Sequence, residues 1–390
     1  MNPAELRASV SLASLFALRT LGLFLILPVF AVHARHLPGG EDTLLVGLAL
    51  GIYGMTQAML QIPFGAASDR IGRKPVIVIG LVVFALGSFL AAAADDILTV
   101  IVGRALQGAG AISAAASAFI ADSTRDSQRT KAMAMVGAAI GLTFALSLVL
   151  APVLYRLIGV EGMFVLTGVL ALLGIAVVLL IVPVPHRVDA AAPLGSSRWH
   201  VVSDPDLMRL DLGIFVLHAV QMAMFTIVPQ WLVTDGGLPL QEHWKVYLPV
   251  VVLSFAIMLP PLGAAERHGR LRALFVVAIA LLAAVVMLLM THPRGLVALA
   301  GLLLLFFVAF NVLEASLPSL VSRLAPDGGK GLALGVYNTA QALGLFAGGL
   351  IGGAVQKAFG TSAVFGVCAA LLLIWLAIAP GLQRWPRARA

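Results

Sequence analysis

Gly65-Ala-Ala-Ser-Asp69-Arg70-Ile-Gly72-Arg73-Lys74-Pro75 is a short charged bridge between two apolar runs, near 44–68 and 75–94. A bilayer crossing takes about 20 mostly apolar residues, and each run is long enough. A bridge carrying this much charge belongs in water, so it marks one membrane face. Reading outward, the same alternation continues through the chain. Apolar stretches lie near 9–33, 44–68, 75–94, 97–120, 131–154, 161–182, 210–234, 244–264, 273–291, 295–323, 332–356 and 361–381. What remains is short connections, with no room for a separate soluble domain.

Composition agrees. Of the 390 residues 61% are apolar and 11% charged, and the mean hydropathy is +1.03. An ordinary soluble domain carries about 25% charge. So few polar residues cannot cover so large an apolar core, which argues against a soluble enzyme, a nucleic-acid binder or a disordered regulator. The net charge of +7 is read as basic residues gathered in cytoplasmic loops rather than as a nucleic-acid surface. The lone Cys368 excludes an internal disulfide and a cysteine-based metal site. No metal and no cofactor is expected. Arg19 interrupts the first stretch, which is therefore read as a span and not as a signal peptide.

The basic residues set the orientation. Arg7, the 70–74 bridge, Arg125, Arg129, Lys131, Arg187, Arg198, Arg209, Arg267, Arg270, Arg272, Arg323, Lys330, Arg384, Arg387 and Arg389 fall on one side. Only Arg35, Arg156, Lys245, Arg294 and Lys357 fall on the other. Both termini are then cytoplasmic. The longest polar segment, 183–209, holds Pro183, Pro185, Pro193 and Gly195 and divides the stretches six and six. The expected fold is an all-α integral membrane protein of twelve transmembrane helices in two pseudo-symmetric six-helix halves. These are 1–182 and 210–390, joined by the central cytoplasmic loop and ending in a short basic tail. Repeats of this kind are common in transporters, with the substrate site near the midplane.

Polar residues inside spans are expensive and mark cavities or partners. Every third stretch is nearly bare of them and is expected to face lipid. The first, fourth, seventh and tenth are richest, with Arg19; Arg104 and Gln107; His218 and Gln221; Asn311 and Glu314. Tyr53, Gln57, Tyr337, Asn338 and Gln341 lie in intermediate stretches. Gln57/Gln61, Arg104/Gln107, His218/Gln221, Asn311/Glu314 and Asn338/Gln341 are three or four apart and share a helix face. Amides and hydroxyls there serve either as glue between helices or as substrate contacts. For Arg19, Arg104 and Glu314 a transport or coupling role is favoured, because glue is cheaper with uncharged groups. His218 is either a helix contact or a titratable group. The intramembrane charge reads as +2 −1, which favours neutral, anionic or amphiphilic solutes. Gly47-x-x-x-Gly51, Gly137-x-x-x-Gly141, Gly335 and Gly344-x-x-x-Gly348-Gly349 are read as faces of close helix approach.

The 65–75 bridge, at this place in a twelve-span chain, resembles the signature loop of the major facilitator superfamily. The resemblance implies a cytoplasmic latch made of Gly65, Asp69, Arg70, Gly72, Arg73 and Asp122, with Arg73 paired to Asp122 and Asp69 facing the start of the eleventh stretch near Gly331. Arg70 and Lys74 can equally be plain basic loop residues. Leu262-Gly-Ala-Ala-Glu266-Arg267-His268-Gly269-Arg270 is a weak second copy in the other half. Arg104-Ala-Leu-Gln107-Gly108-Ala-Gly110 is similar to the superfamily motif tied to proton coupling.

A narrower resemblance, to bacterial inner-membrane transporters of the same superfamily, is carried by Phe16-Ala-Leu-Arg19-Thr-Leu-Gly22, the run from Gln107 to Ala115, Arg129-Thr-Lys-Ala-Met133, the run from Asn311 to Leu320, and Lys330-Gly331 leading to Gly335-Val-Tyr337. Some of those relatives add a small cytoplasmic domain after the last span, which this chain is expected to lack. The antiporter motif is incomplete, since Ala151-Pro152-Val153-Leu154 stands where Gly-Pro and paired glycines belong.

Gly328-Gly329-Lys330-Gly331 is not a Walker sequence, and nothing else points to catalysis. The expected function is secondary active transport of a small molecule by alternating access, with protons as coupling ion and export as direction. Arg104, Glu314, Arg19 and His218 are the coupling candidates. Tyr53, Gln57, Gln107, Gln221, Asn311, Tyr337, Asn338 and Gln341 are the substrate candidates. A monomer in the bacterial inner membrane is expected, its partners being the bilayer, the solute and protons. A facilitator or importer of the same fold stays open, as does a non-transporting receptor or scaffold.

Overall fold

A computed structural model describes residues 1, 3–182, 201–326 and 329–385. Most of the 183–209 loop, and Arg387 and Arg389 of the tail, lie outside the described residues. Among those described there is no strand. The chain forms two compact units. One comprises Met1–Gly40 and Ile52–Pro193, the other Glu41–Gly51 and Leu194–Ala390.

The first unit is built on α1 (Pro3–Phe24), α2 (Leu27–His33), α3 (Thr43–Ile71, whose first turns belong to the second unit), α4 (Arg73–Ala92), α5 (Ile97–Ala109), α6 (Ser113–Ser123) and α7 (Asp126–Leu180). α1 and α4 pack on α7, and α4 packs on α5. Two expected spans are each broken once. The first bends at residues 25–26, where Pro28 opens α2. The 97–120 stretch breaks over 110–112, where Gly110 lies so close to the Gly80 carbonyl that a Cβ would stand 2.4 Å from it. α7 runs through two expected spans and is interrupted at Gly159, whose backbone (φ 68°, ψ 179°) is open to glycine and strained for other residues.

The second unit holds α8 (Pro205–Thr234), α9 (Trp244–Arg267), α10 (Leu271–Met290), α11 (Leu296–Leu324), α12 (Lys330–Leu350), α13 (Gln356–Phe359) and α14 (Thr361–Ile378). Asp204 caps α8 by accepting from the Asp206 and Leu207 amides, and Pro205 supplies the favoured first residue. α12 packs along α8, α10 packs on α11 and α14, and α9 packs on α11. A single π-helical turn, Ile351–Val355, joins α12 to α13.

Among the described residues, eleven helical segments are long and apolar enough to cross a membrane, and one of them, Met135–Leu180, contains the Gly159 break. Their outer faces carry exposed Val297, Leu180, Leu157, Val277 and Leu86. Large apolar patches of this kind have no place on a soluble monomer. Exposure does not follow the count of three. The apolar window of α8 is 89% buried, but that of α9 is 28% and that of α10 is 44%. Lipid-facing and water-facing side chains count alike as exposed, so exposure alone does not single out the helices poor in polar groups.

The glycine runs also divide. A Cβ on Gly47 would stand 2.1 Å from the Gly349 carbonyl oxygen, and one on Gly348 2.2 Å from that of Ala219. Built on Gly137, Gly141 or Gly335 it meets nothing within 4 Å. The expected close approach is therefore found for Gly47, Gly51, Gly344, Gly348 and Gly349 and not for Gly137, Gly141 or Gly335.

Candidate functional site

In the first unit a polar network is assembled from five helices. Arg104, on α5, is fully buried. Its Nη1 donates to Gln107 Oε1 at 2.7 Å and to the Gly22 carbonyl at 3.3 Å. Gln107 Nε2 then donates to Ser88 Oγ at 2.7 Å, and Ser88 donates to the Phe84 carbonyl. The chain Arg–Gln–Ser–carbonyl disperses a permanent charge over acceptors of α1, α4 and α5. That is what a guanidinium without water requires. Tyr53, on α3, sits between two cations: Arg104 Cζ is 4.9 Å from its ring centroid and Arg19 Cζ 5.6 Å. Arg19, on α1, donates from Nη1 to Ser113 Oγ on α6. Arg19, Tyr53, Arg104 and Gln107 thus form one group, and the Gln107 amide is committed to Arg104 and Ser88. Gln57 lies one turn further along α3 and is half-buried.

In the second unit the group is titratable instead. His218, on α8, is 1% exposed. Its Nδ1 lies 3.2 Å from the Ile214 carbonyl, and its Nε2 lies 2.8 Å from Gln341 Nε2 on α12. One neutral tautomer satisfies both, with Nδ1–H donating to Ile214 and Nε2 accepting from the amide. Glu314 Oε2, on α11, stands 3.8 Å from the same Nε2. Oε2 and the Tyr337 hydroxyl are both buried with no hydrogen-bond partner among the described residues. Glu314 and Asp211 are both within electrostatic reach of that hydroxyl. Asn311 Nδ2 donates to Ser254 Oγ of α9 at 3.0 Å. Gln221 is fully buried with neither amide atom hydrogen-bonded among the described residues, and Asn338 is half-buried.

Asp211 enlarges the sequence count of charge. It stands one residue inside the 210–234 stretch, where it reads as a boundary residue, yet α8 begins at Pro205 and carries it within the apolar segment. The intramembrane balance read as +2 −1 therefore omits one carboxylate. Ser88 and Ser113 were visible only as isolated hydroxyls, and the groups that donate to them, Gln107 and Arg19, lie on other helices and distant in sequence.

At the α3–α4 turn Gly72 has φ 100°, a conformation suited to glycine. Arg73 Nε donates to Asp122 Oδ2 at 2.8 Å, and Nη1 to Ser68 at 2.7 Å and to Asp69. Gly65 lies against α6, since a Cβ there would stand 3.3 Å from Ala114 Cβ. Arg70 is exposed. Lys74 is more than a loop cation: its Nζ donates to the Val182 carbonyl at 2.6 Å, just past the end of α7, where positive charge is favoured. In the second copy Glu266 accepts directly from Arg323 at 3.2 Å.

A multi-helix membrane fold with buried charge in its spans and an Asp–Arg–Asp cluster at a helical turn defines a membrane transporter. The profile of the Major Facilitator Superfamily matches residues 12–349 and 250–387, and the chain belongs to that family. It is 42% identical over 389 residues to the inner membrane transport protein YajR of Escherichia coli K12, covering 99% of this chain and 85% of that one. It is 28% identical over 351 residues to the multidrug resistance protein MdtH of Aeromonas hydrophila, covering 86% and 84%. Among solved structures, a bacterial homolog of the human lysosomal transporter Spinster superposes with a TM-score of 0.77 at 13% identity, over 99% of this chain and 98% of that one. The chain is thus a multi-pass membrane protein of a transporter family and not an enzyme.

Proposed function

We propose that the protein is a proton-coupled secondary active transporter that exports a small molecule across a bacterial inner membrane by alternating access. The α7 segment is read as two spans parted at Gly159, which gives twelve in two halves with both termini cytoplasmic. The observation that carries the coupling is the His218–Glu314–Gln341 arrangement. Nε2 of a buried imidazole faces an amide donor on one helix and a carboxylate on another. A proton placed on Nε2 turns it from acceptor to donor, so the Gln341 amide must rotate or withdraw before Nε2–H can face Glu314. Proton occupancy is thereby tied to the relation between α8, α11 and α12. Arg19 and Arg104 supply the fixed charge of the first half. The Asp69–Arg73–Asp122 cluster acts as the cytoplasmic latch, with Gly65, Arg70 and Gly72 shaping its turn. Tyr53, Gln57, Gln107, Gln221, Asn311, Tyr337, Asn338 and Gln341 remain the polar groups proposed to meet or frame the solute. Similarity to the inner membrane transport protein YajR and to a multidrug resistance protein supports location and direction.

The test needs no substrate. Cys368→Ala protein carries spin-label pairs at Arg35 and Lys245, and at Arg125 and Lys330. In lipid, both distances are measured at acid and at neutral pH. Opposite changes at the two ends are expected, and Glu314→Gln abolishes the pH response. Distances that respond to pH equally well in Glu314→Gln would sink the coupling assignment. Distances fixed under every condition would favour a receptor or scaffold.

A further inference from the structure

Arg19 is 5% exposed, and two of its nitrogens, Nε and Nη2, are buried with no acceptor among the described residues. Nη1 is committed to Ser113 and one face of the guanidinium to the Tyr53 ring. The Nε and Nη2 hydrogens point along one edge of the guanidinium, a two-donor fork matched to the two oxygens of a carboxylate. The same chain shows what this edge does when an acid is present. Arg125 Nε donates to Glu5 Oε1 at 2.8 Å and its Nη2 to Glu5 Oε2 at 3.2 Å. Among the described side chains, the other acids of the first unit's helices are occupied: Asp69 and Asp122 by Arg73, and Glu161 beside His33. An unfilled two-donor fork in an apolar body is costly, and its cost is recovered when a matching acceptor arrives.

We propose that the Nε/Nη2 edge of Arg19 is the anchor for a carboxylate group of the transported molecule, so that the substrate class is small organic carboxylates. The proposal deepens the transport reading above and rests on it, and it moves Arg19 from the coupling group to substrate recognition. A planar, singly charged group fits better than a phosphate dianion. Arg104, the other cation at the Tyr53 ring, already has its Nη1 on Gln107 and Gly22. The Tyr53 ring closes one side of the anchor, giving the bound acid an apolar wall beside its charge.

The full-length protein in nanodiscs, labelled with nitrogen-15 arginine, provides the test. Arg19→Lys identifies the Arg19 Nε–H signal by its disappearance. The probes are acetate, octanoate, benzoate and indole-3-acetate, each paired with its amide, together with octyl and phenyl phosphate. At least one carboxylate should shift the Arg19 Nε–H resonance and raise Tm, while its amide does neither. Its binding should weaken about tenfold to a hundredfold in Arg19→Gln, the loss expected for a charge-assisted pair. Arg19→Lys, which keeps the charge but not the fork, should fall between. The assignment is overturned if no carboxylate moves the signal, if amides act equally, if phosphates bind better than the matching carboxylates, or if Arg19→Gln, folded as judged by an unchanged unliganded Tm, binds as tightly as wild type. Binding is read at equilibrium without any gradient. Its failure therefore leaves the spin-label result standing, and fixed label distances would leave a carboxylate site standing.

Discussion

The two halves bury polar groups of opposite character. In the first, Arg104 is tied by Gln107, which is tied by Ser88, and each link is 2.7 Å long. In the second, His218 and Glu314 stand 3.8 Å apart, and Glu314 Oε2 and the Tyr337 hydroxyl have no hydrogen-bond partner among the described residues. A permanent cation has one charge state and can be fixed in place. Groups that gain and lose protons need a surrounding that tolerates both states, and a looser arrangement supplies it. The turns that carry the two motif copies differ in the same sense: Arg73 bridges two carboxylates, whereas Glu266 meets Arg323.

The first way to break this comparison is through the frame, where the largest effect is expected. Gly108 packs against the Tyr53 carbonyl and Gly348 against that of Ala219, with room for a Cβ in neither place. Gly108→Ala and Gly348→Ala should each cost about 1–3 kcal/mol or more, seen as a lowered Tm in detergent. Similar losses would mean that both halves are equally rigid and that the contrast lies in the polar groups. A tolerant Gly348 alone would mean that the second half is loose throughout. As a reference, Gly141→Ala should raise Tm, because its Cβ meets nothing and alanine favours the helix by about 1 kcal/mol.

The polar groups themselves come next. Gln107→Leu leaves a buried guanidinium short of an acceptor and should cost about 1.5–3 kcal/mol. Gln341→Leu removes a bond between neutral partners and should cost about 0.5–1.5 kcal/mol. Equal costs, measured by thermal unfolding, would erase the distinction between a clamped and a loose core.

The smallest effect concerns acid. Lys357 Nζ donates to Asp42 Oδ2 at 2.6 Å and holds that carboxyl below its ordinary value. A depressed carboxyl contributes stability that is present above its unfolded pKa and lost as pH falls through the folded one. Asp42→Asn should therefore lower Tm slightly at neutral pH and flatten its decline on acidification. An unchanged acid slope would show that the exposed pair contributes nothing measurable, as many surface pairs do.

Two contacts of the candidate site were legible in the sequence, one from residue spacing and one from the resemblance. Arg104 and Gln107, three apart, are hydrogen-bonded as a shared helix face allows. Arg73 meets Asp122, as the resemblance implied. Asp211 was not legible, because a carboxylate at the start of an apolar run reads as loop. The idleness of the Gly137–Gly141 pair was not legible either, since a small-residue spacing looks the same with or without a neighbour on it. The breaks at residues 25–26 and 110–112 escaped for a related reason. Apolar runs show length, while a bend depends on what packs against the turn, as the Gly80 carbonyl does on Gly110.

By itself the sequence determined that this chain lives in a membrane and folds into helices, because its apolar runs are continuous over about 20 residues and do not alternate as barrel strands do, so in hydrocarbon their backbone is satisfied within its own turns. It also determined where charge is placed along each helix, because the helical period is local. Tertiary structure alone decided which charges are satisfied. Whether Arg19 keeps an open edge, whether Arg104 is clamped and whether Glu314 faces His218 depend on partners tens to about a hundred residues away. Only the packing of helices against one another brings those partners within hydrogen-bonding range.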